Sequence, residues 1–149
     1  LVSAVSDHGE ISALAAERYG FPRERIVIEV VENVATSNAL LERAVLNYRQ
    51  RGFLVAIDDF GSEHSNLDRL WRLKPDLVKI DGRLFRDMST ADAAPGILAK
   101  LIDIVHEVEA RALIEGIETA AQARLATGAG ADFLQGYFFD KPSLLPRQI

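Results

Sequence analysis

The chain has 149 residues, 48% of them hydrophobic and 26% charged, a composition suited to one folded domain with a core and not to a disordered segment. It has no cysteine, which excludes disulfides, thiolate chemistry and Cys-ligated zinc or iron–sulfur sites, and its net charge of −5 argues against DNA or RNA as partners. Apolar runs reach only about five residues against the ~20 needed to cross a bilayer, and no leader pattern opens the chain, so a cytoplasmic location with no membrane segment is expected; the start on Leu1 instead of Met fits a fragment or excised domain.

Short β-type runs alternate with amphipathic helical stretches, the pattern of a parallel α/β architecture. A helix over 8–20 comes first, then a strand over Ile26–Val31 that carries Glu29 and runs into Glu32-Asn33. Thr36, Ser37 and Asn38 offer N-caps to a helix over 38–51, which Gly52 closes. The strand Phe53–Ile57 delivers Asp58-Asp59-Phe60-Gly61; alternation puts Asp58 on the face of Ala56, towards the mouth of the fold, and Asp59 at the start of the loop. Paired aspartates can equally be a solvated turn whose side chains bond nearby amides.

A helix over 65–73 follows, with Leu70 and Trp71 on a face that packs on the sheet or on a partner. The strand Leu77–Ile80 sets Lys79 between Val78 and Ile80, just before Asp81. A lysine so placed must find a partner or lose its charge. It either makes a structural salt bridge, to Asp81 or to an acid of a neighbouring strand, or it orients water or a phosphate oxygen. A long helix over 92–110 precedes the strand Ala112–Ile114, which ends on Glu115-Gly116-Ile117-Glu118. Thr119 and Gln122 form a capping-box pattern for a helix over 119–128, and Phe133–Leu134 is a last short strand running into Gln135. His8, His64 and His106 are scattered and read as surface or structural; Arg69, Arg72 and Arg83 read as solvated.

Each strand thus delivers a polar or ionisable residue at its C-terminal end, the face on which parallel α/β folds build active sites. A closed (β/α)₈ barrel gathers all of these ends into one ring, whereas an open doubly wound sheet gathers only those beside its switch point. A TIM-like (β/α) barrel is therefore expected, present in part: a full barrel takes about 250 residues, and this chain supplies about five of eight strands. The acidic strand ends suit hard divalent cations, which take oxygen ligands.

Glu29-Val30-Val31-Glu32-Asn33, Asp58-Asp59-Phe60-Gly61, Lys79-Ile80-Asp81, Glu115-Gly116-Ile117-Glu118-Thr119 and Gln135-Gly136-Tyr137 resemble, in order and spacing, the later motifs of the EAL domain, and Lys141-Pro142 is similar to that family's ending. The resemblance covers the chain from about Ile26 onward and identifies residues 1–149 as the C-terminal portion of one EAL-type barrel. It implies hydrolysis of cyclic di-GMP to pGpG with Mg²⁺ or Mn²⁺ at a two-metal site. It further implies Glu29 and Asp58 as ligands of the first metal, Asp59 reaching the second, Lys79 contacting the attacking water and Asp81 supporting the metal-bound network. Glu115 is implied as an essential carboxylate, Glu118 and Gln135 as completing the polar ring, and Glu32 as anchoring the loop after Asp58-Asp59. A homodimer, and GGDEF or sensory domains elsewhere in the protein, are implied as well.

The sequence also departs from the family. No Glu-Ala-Leu occurs in it, and the Asn-bearing strand that supplies another metal ligand is absent. With two ligands missing, the metal site is expected to be incomplete and this chain inactive by itself. The loop reads Gly61-Ser62-Glu63-His64-Ser65 where the family has Gly-Thr-Gly-Tyr-Ser, and Ile114 stands where a small residue is common. The alternative is a degenerate module that binds cyclic di-GMP or a protein partner without turnover.

Overall fold

In a computed structural model of the chain, residues 9–31, 37–62, 67–89 and 94–142 are described. Glu32, His8 and the Glu63-His64 pair of the altered loop lie outside the described residues.

Five strands form one parallel sheet in sequential order: β1 (Val27–Val31), β2 (Leu54–Phe60), β3 (Leu77–Ile80), β4 (Arg111–Ile114) and β5 (Phe133–Leu134). Sequential parallel order is the connectivity expected of a TIM-like barrel. The strands are short runs rich in Val, Ile and Leu because both sheet faces are covered. Val55, Ile57, Val78, Ile80, Ala112 and Ile114 are essentially inaccessible. The helices α1 (Glu10–Arg18), α2 (Asn38–Gln50), α3 (Leu67–Leu73), α4 (Gly82–Ser89), α5 (Ala94–Glu107) and α6 (Ala120–Gly128) connect and flank them. Leu41, Val45 and Tyr48 of α2, Leu70 and Leu73 of α3, Phe85 of α4, and Leu98, Ile102 and Val105 of α5 complete the core.

The end signals behave unequally. Thr119 and Gln122 form both hydrogen bonds of a capping box, and Gly52 closes α2 at φ 87° with its N–H on Arg49 O. Ser37 is the N-cap residue of α2, but its side chain makes no cap bond. Of the residues paired in sequence as a packing face, Leu70 is buried while Trp71 is 60% exposed.

Two aspartates tie the lower ends of the strands together. Asp76 Oδ2, just before β3, accepts from Val55 N at 2.8 Å, and Asp132 Oδ2, just before β5, accepts from Ala112 N at 2.7 Å. Each supplies a partner for a strand-entry amide that has none on the preceding turn. His106 Nε2 also meets Asp132 Oδ2 at 2.8 Å, joining α5 to this end of the sheet.

Candidate active site

The sequence places the end of a strand at Ile57, whereas β2 continues to Phe60, and the reason lies in the register. Ile57 pairs with Val78 and Phe60 with Ile80, so Asp58 and Asp59 together face the single residue Lys79. This is a β-bulge, a device that re-aims side chains beside active sites. Asp59 takes the bulge with φ 55°, in the left-handed region that Asp tolerates better than most residues. Neighbouring strand residues otherwise project to opposite faces. The bulge brings both carboxylates to one side, and oxygens of Asp58, Asp59 and Glu115 all lie within 4.8 Å of one another.

Lys79 sits at the centre of the acids. Its Nζ is 2.7 Å from Asp58 Oδ1, 2.9 Å from Glu29 Oε1 and 2.9 Å from Glu115 Oε1. Register explains the convergence: Glu29 pairs with Ala56, two residues before Asp58, and Lys79 with Leu113, two before Glu115. All four therefore share a face. Of the salt-bridge partners open in the sequence, Lys79 takes not Asp81 but the acids of other strand ends, Asp58 and Glu115 on either side and Glu29 one strand further.

The charges set the protonation of the group. Burial alone would lower the Lys79 pKa, but the hydrogen bonds it donates to Asp58, Glu29 and Glu115 overcome it and hold the ammonium charged far into alkali. Burial raises the Glu115 carboxyl; Lys79 opposes the shift and the charges of Asp58 and Asp59 add to it. Asp59 is raised by burial and by repulsion from Asp58 and Asp81, against the pull of Lys79 and Arg83.

The remaining expected residues take different places. Asp81 Oδ1 accepts from Arg83 N at 2.8 Å and Leu84 N at 3.0 Å, so it caps α4. Glu118 meets Arg86 Nη1 at 3.5 Å, and Gln135 lines a cavity of about 320 Å³ together with Glu115, Glu118, Arg86 and Tyr137. Gln135 N donates to Ile114 O at 2.9 Å, and Gln135 O accepts from Ile117 N at 3.0 Å, which locks β5 beside the Glu115–Glu118 turn. Arg86 escapes a reading of the sequence because α4 does; the signal available was Asp81 as a helix cap with an apolar Phe85 behind it.

The donor set fits a hard divalent cation: three carboxylates in mutual reach, all oxygen, with no sulfur or imidazole among them.

Comparison with known proteins agrees with this geometry. The EAL domain family profile matches residues 2–142. A protein described as "Probable cyclic di-GMP phosphodiesterase PdeA" from Escherichia coli (strain K12) is 34% identical over 132 residues, covering 87% of this chain and 18% of its own length. Among solved structures, a standalone versatile EAL protein from Vibrio cholerae O395 in its c-di-GMP-bound form aligns with TM-score 0.84 at 32% identity, over 94% of this chain and 60% of its own. Bacillus subtilis YkuI, in complex with c-di-GMP and calcium, aligns with TM-score 0.83 at 30% identity, over 96% of this chain and 36% of its own. Klebsiella pneumoniae BlrP1, in a manganese and c-di-GMP complex at pH 9.0, aligns with TM-score 0.83 at 27% identity, over 92% and 35% respectively. The chain thus spans less than two thirds of these relatives.

Proposed function

The chain belongs to the EAL domain family, and from that membership and the bulged Asp58-Asp59 pair we propose that it is the C-terminal part of a barrel that hydrolyses cyclic di-GMP to pGpG. The observation that carries the proposal is the convergence of Glu29, Asp58 and Glu115 on Lys79, with Asp59 turned to the same side.

Glu29, Asp58, Asp59 and Glu115 would hold Mg²⁺ or Mn²⁺. Such cations, when bound, supply Lewis-acid activation of water and neutralise charge at phosphorus. Lys79, charged at all working pH values, serves as a donor that orients the attacking water or a phosphate oxygen and not as a base. Glu115, its carboxyl raised by burial, is the better match for accepting the proton of that water. Water oxygen bonds to phosphorus as its proton passes to Glu115, the P–O3′ bond breaks, and the freed O3′ takes a proton from solvent water. Asp81 supports this arrangement indirectly, by fixing the start of α4 beside Asp59. Glu118 and Gln135 close the polar ring, and Glu32, which lies outside the described residues, is assigned in this reading to anchor the loop after Asp58-Asp59.

A homodimer and a cytoplasmic location belong to the same proposal. Exposed Leu67 and Trp71 on α3 offer an apolar patch for a second copy, and no helix among the described residues is long and apolar enough to cross a membrane. The test is hydrolysis of cyclic di-GMP with Mn²⁺ by the protein in its full natural length. Turnover is expected to fall by at least about a hundredfold in Asp58→Asn and Lys79→Met. Binding of cyclic di-GMP without any turnover in the unmutated protein would instead support a sensor module.

A further inference from the structure

The acidic cluster draws on two turns: Asp58 and Asp59 stand at the end of β2, and Glu115 just past the end of β4. The first turn of α4 touches both. On one side, a Cβ on Gly82 would stand 3.1 Å from Gly116 Cα and 3.2 Å from Glu115 O, so α4 lies on the turn after β4 with no side chain between them. On the other side, a Cβ on Gly61 would land on Leu84 Cδ2, and the three heavy atoms nearest that position all belong to Leu84. Gly61 has φ 94°, so this turn takes glycine both for its backbone and for the room it leaves to Leu84.

Leu84 is held firmly in that place. Its N–H donates to Asp81 Oδ1 at 3.0 Å, Asp81 N donates to Phe60 O at 3.0 Å, and Phe85, next in the chain, is fully buried. Beneath the Leu84 side chain, Ser62 N donates to Asp59 O at 3.1 Å and closes the turn. Asp59 itself, at φ 55°, keeps a left-handed conformation that a residue with a Cβ holds only where its surroundings enforce it.

We propose that Leu84 is a positioning residue for the cation site: by filling the space on Gly61 it keeps the Asp59–Ser62 turn closed and the Asp59 carboxylate on the side of Asp58 and Glu115. The first turn of α4 is then a spacer that sets Asp59 and Glu115 within reach of one ion. This inference rests on the proposed function, since it takes these carboxylates to hold a divalent cation. Truncating Leu84 removes no ligand and no charge, but it frees the turn, and Asp59 relaxes away from the group. Residues that orient metal ligands without touching the ion contribute about tenfold to a hundredfold in metal affinity.

The test is Mn²⁺ binding, followed by electron paramagnetic resonance without nucleotide, to the full-length natural protein and to its Leu84→Ala, Leu84→Met and Leu101→Ala variants, with a thermal melt of each. Leu101 of α5 is partly buried against the same core and reports the loss of packing alone. Leu84→Ala is expected to weaken Mn²⁺ about tenfold or more at a temperature where it is folded. Leu84→Met refills the space and should keep the affinity of the unmutated protein. Leu101→Ala should lower the melting temperature and leave Mn²⁺ binding unchanged. If Leu84→Ala does not fold, Leu84→Val, a smaller truncation, carries the same expectation with a smaller loss. Unchanged affinity in the folded Leu84 truncation, an equal loss in Leu101→Ala, or a loss in Leu84→Met as large as in the alanine variant would each overturn the positioning role. A folded unmutated protein that binds no Mn²⁺ would overturn the proposed function together with this inference, a result separable from a metal-binding protein indifferent to Leu84.

Discussion

Lys79 Nζ and Asp58 Oδ1 lie 2.7 Å apart across β2 and β3, at the one point where the ladder between those strands skips a residue. The bulge and the ion pair are two aspects of one arrangement: the extra residue turns Asp59 to the side of Asp58, and Lys79 supplies the cation that lets the acids sit together.

Replacing that cation with a neutral side chain leaves three converging carboxylates without a counter-charge. Lys79→Met should destabilise the metal-free protein by about 2–4 kcal/mol, towards the lower end because Glu29 remains 48% exposed. Mn²⁺ should then raise the melting temperature of the variant by more than it raises that of the unmutated protein. Thermal melts with and without Mn²⁺ measure both. In the unmutated protein the Lys79 pKa is raised, so its contribution is complete below the ordinary lysine range and lost only as pH climbs above it. A stability loss already visible near neutrality would contradict this.

At Asp59 and Glu115 it is the ionised form that folding disfavours. Their folded-state values are raised, chiefly by burial, so their ionised forms cost stability at neutral pH and that cost is relieved as the medium is acidified. Protons therefore compete with cations at an unusually high pH. Mn²⁺ affinity, followed by electron paramagnetic resonance, is expected to begin falling above the ordinary carboxylate range. Affinity that holds constant down to that range would count against the assignment of these residues as ligands.

Asp132 offers a contrast away from the site. Burial tends to raise its carboxyl, but the contacts to His106 and to the Ala112 amide prevail and lower it. Its contribution is present above the ordinary aspartate value and disappears as pH falls through the lowered one. Asp132→Ala should cost about 1–3 kcal/mol in urea unfolding at neutral pH, because the Ala112 N–H loses its acceptor. The deficit relative to the unmutated protein should shrink in strong acid.

Gly136 tests the positioning of the cavity. A Cβ there would run into the backbone of Ile117, whose N–H and C=O bond Gln135 O and Phe138 N. Gly136→Ala should therefore force β5 away from the Glu115–Glu118 turn, lowering stability by roughly 2 kcal/mol or more. Cyclic di-GMP affinity should fall with it, measured at a temperature where the variant is still folded.

Much of this molecule follows from local pattern. Alternating apolar runs and capped helices specify parallel strands joined by helices, since a buried parallel strand must be apolar on both faces and a capped helix must begin where its orphan amides are met. The ordered acidic strand ends mark the candidate site and carry the resemblance to the family. The helix Gly82–Ser89 stayed hidden: its start is signalled only by Asp81, and its amphipathic run is too short to stand out. What tertiary structure alone decided is which side chains meet. Strand alternation sends Asp58 and Asp59 to opposite faces, and only the register of β2 against β3, set by packing on both sides of the sheet, inserts the bulge that reunites them. Likewise Lys79 has an acid near it in sequence at Asp81, yet it bonds to Glu29 of β1, Asp58 of β2 and Glu115 just past the end of β4. A ring of charges is a property of how strand ends assemble, and no stretch of sequence contains it.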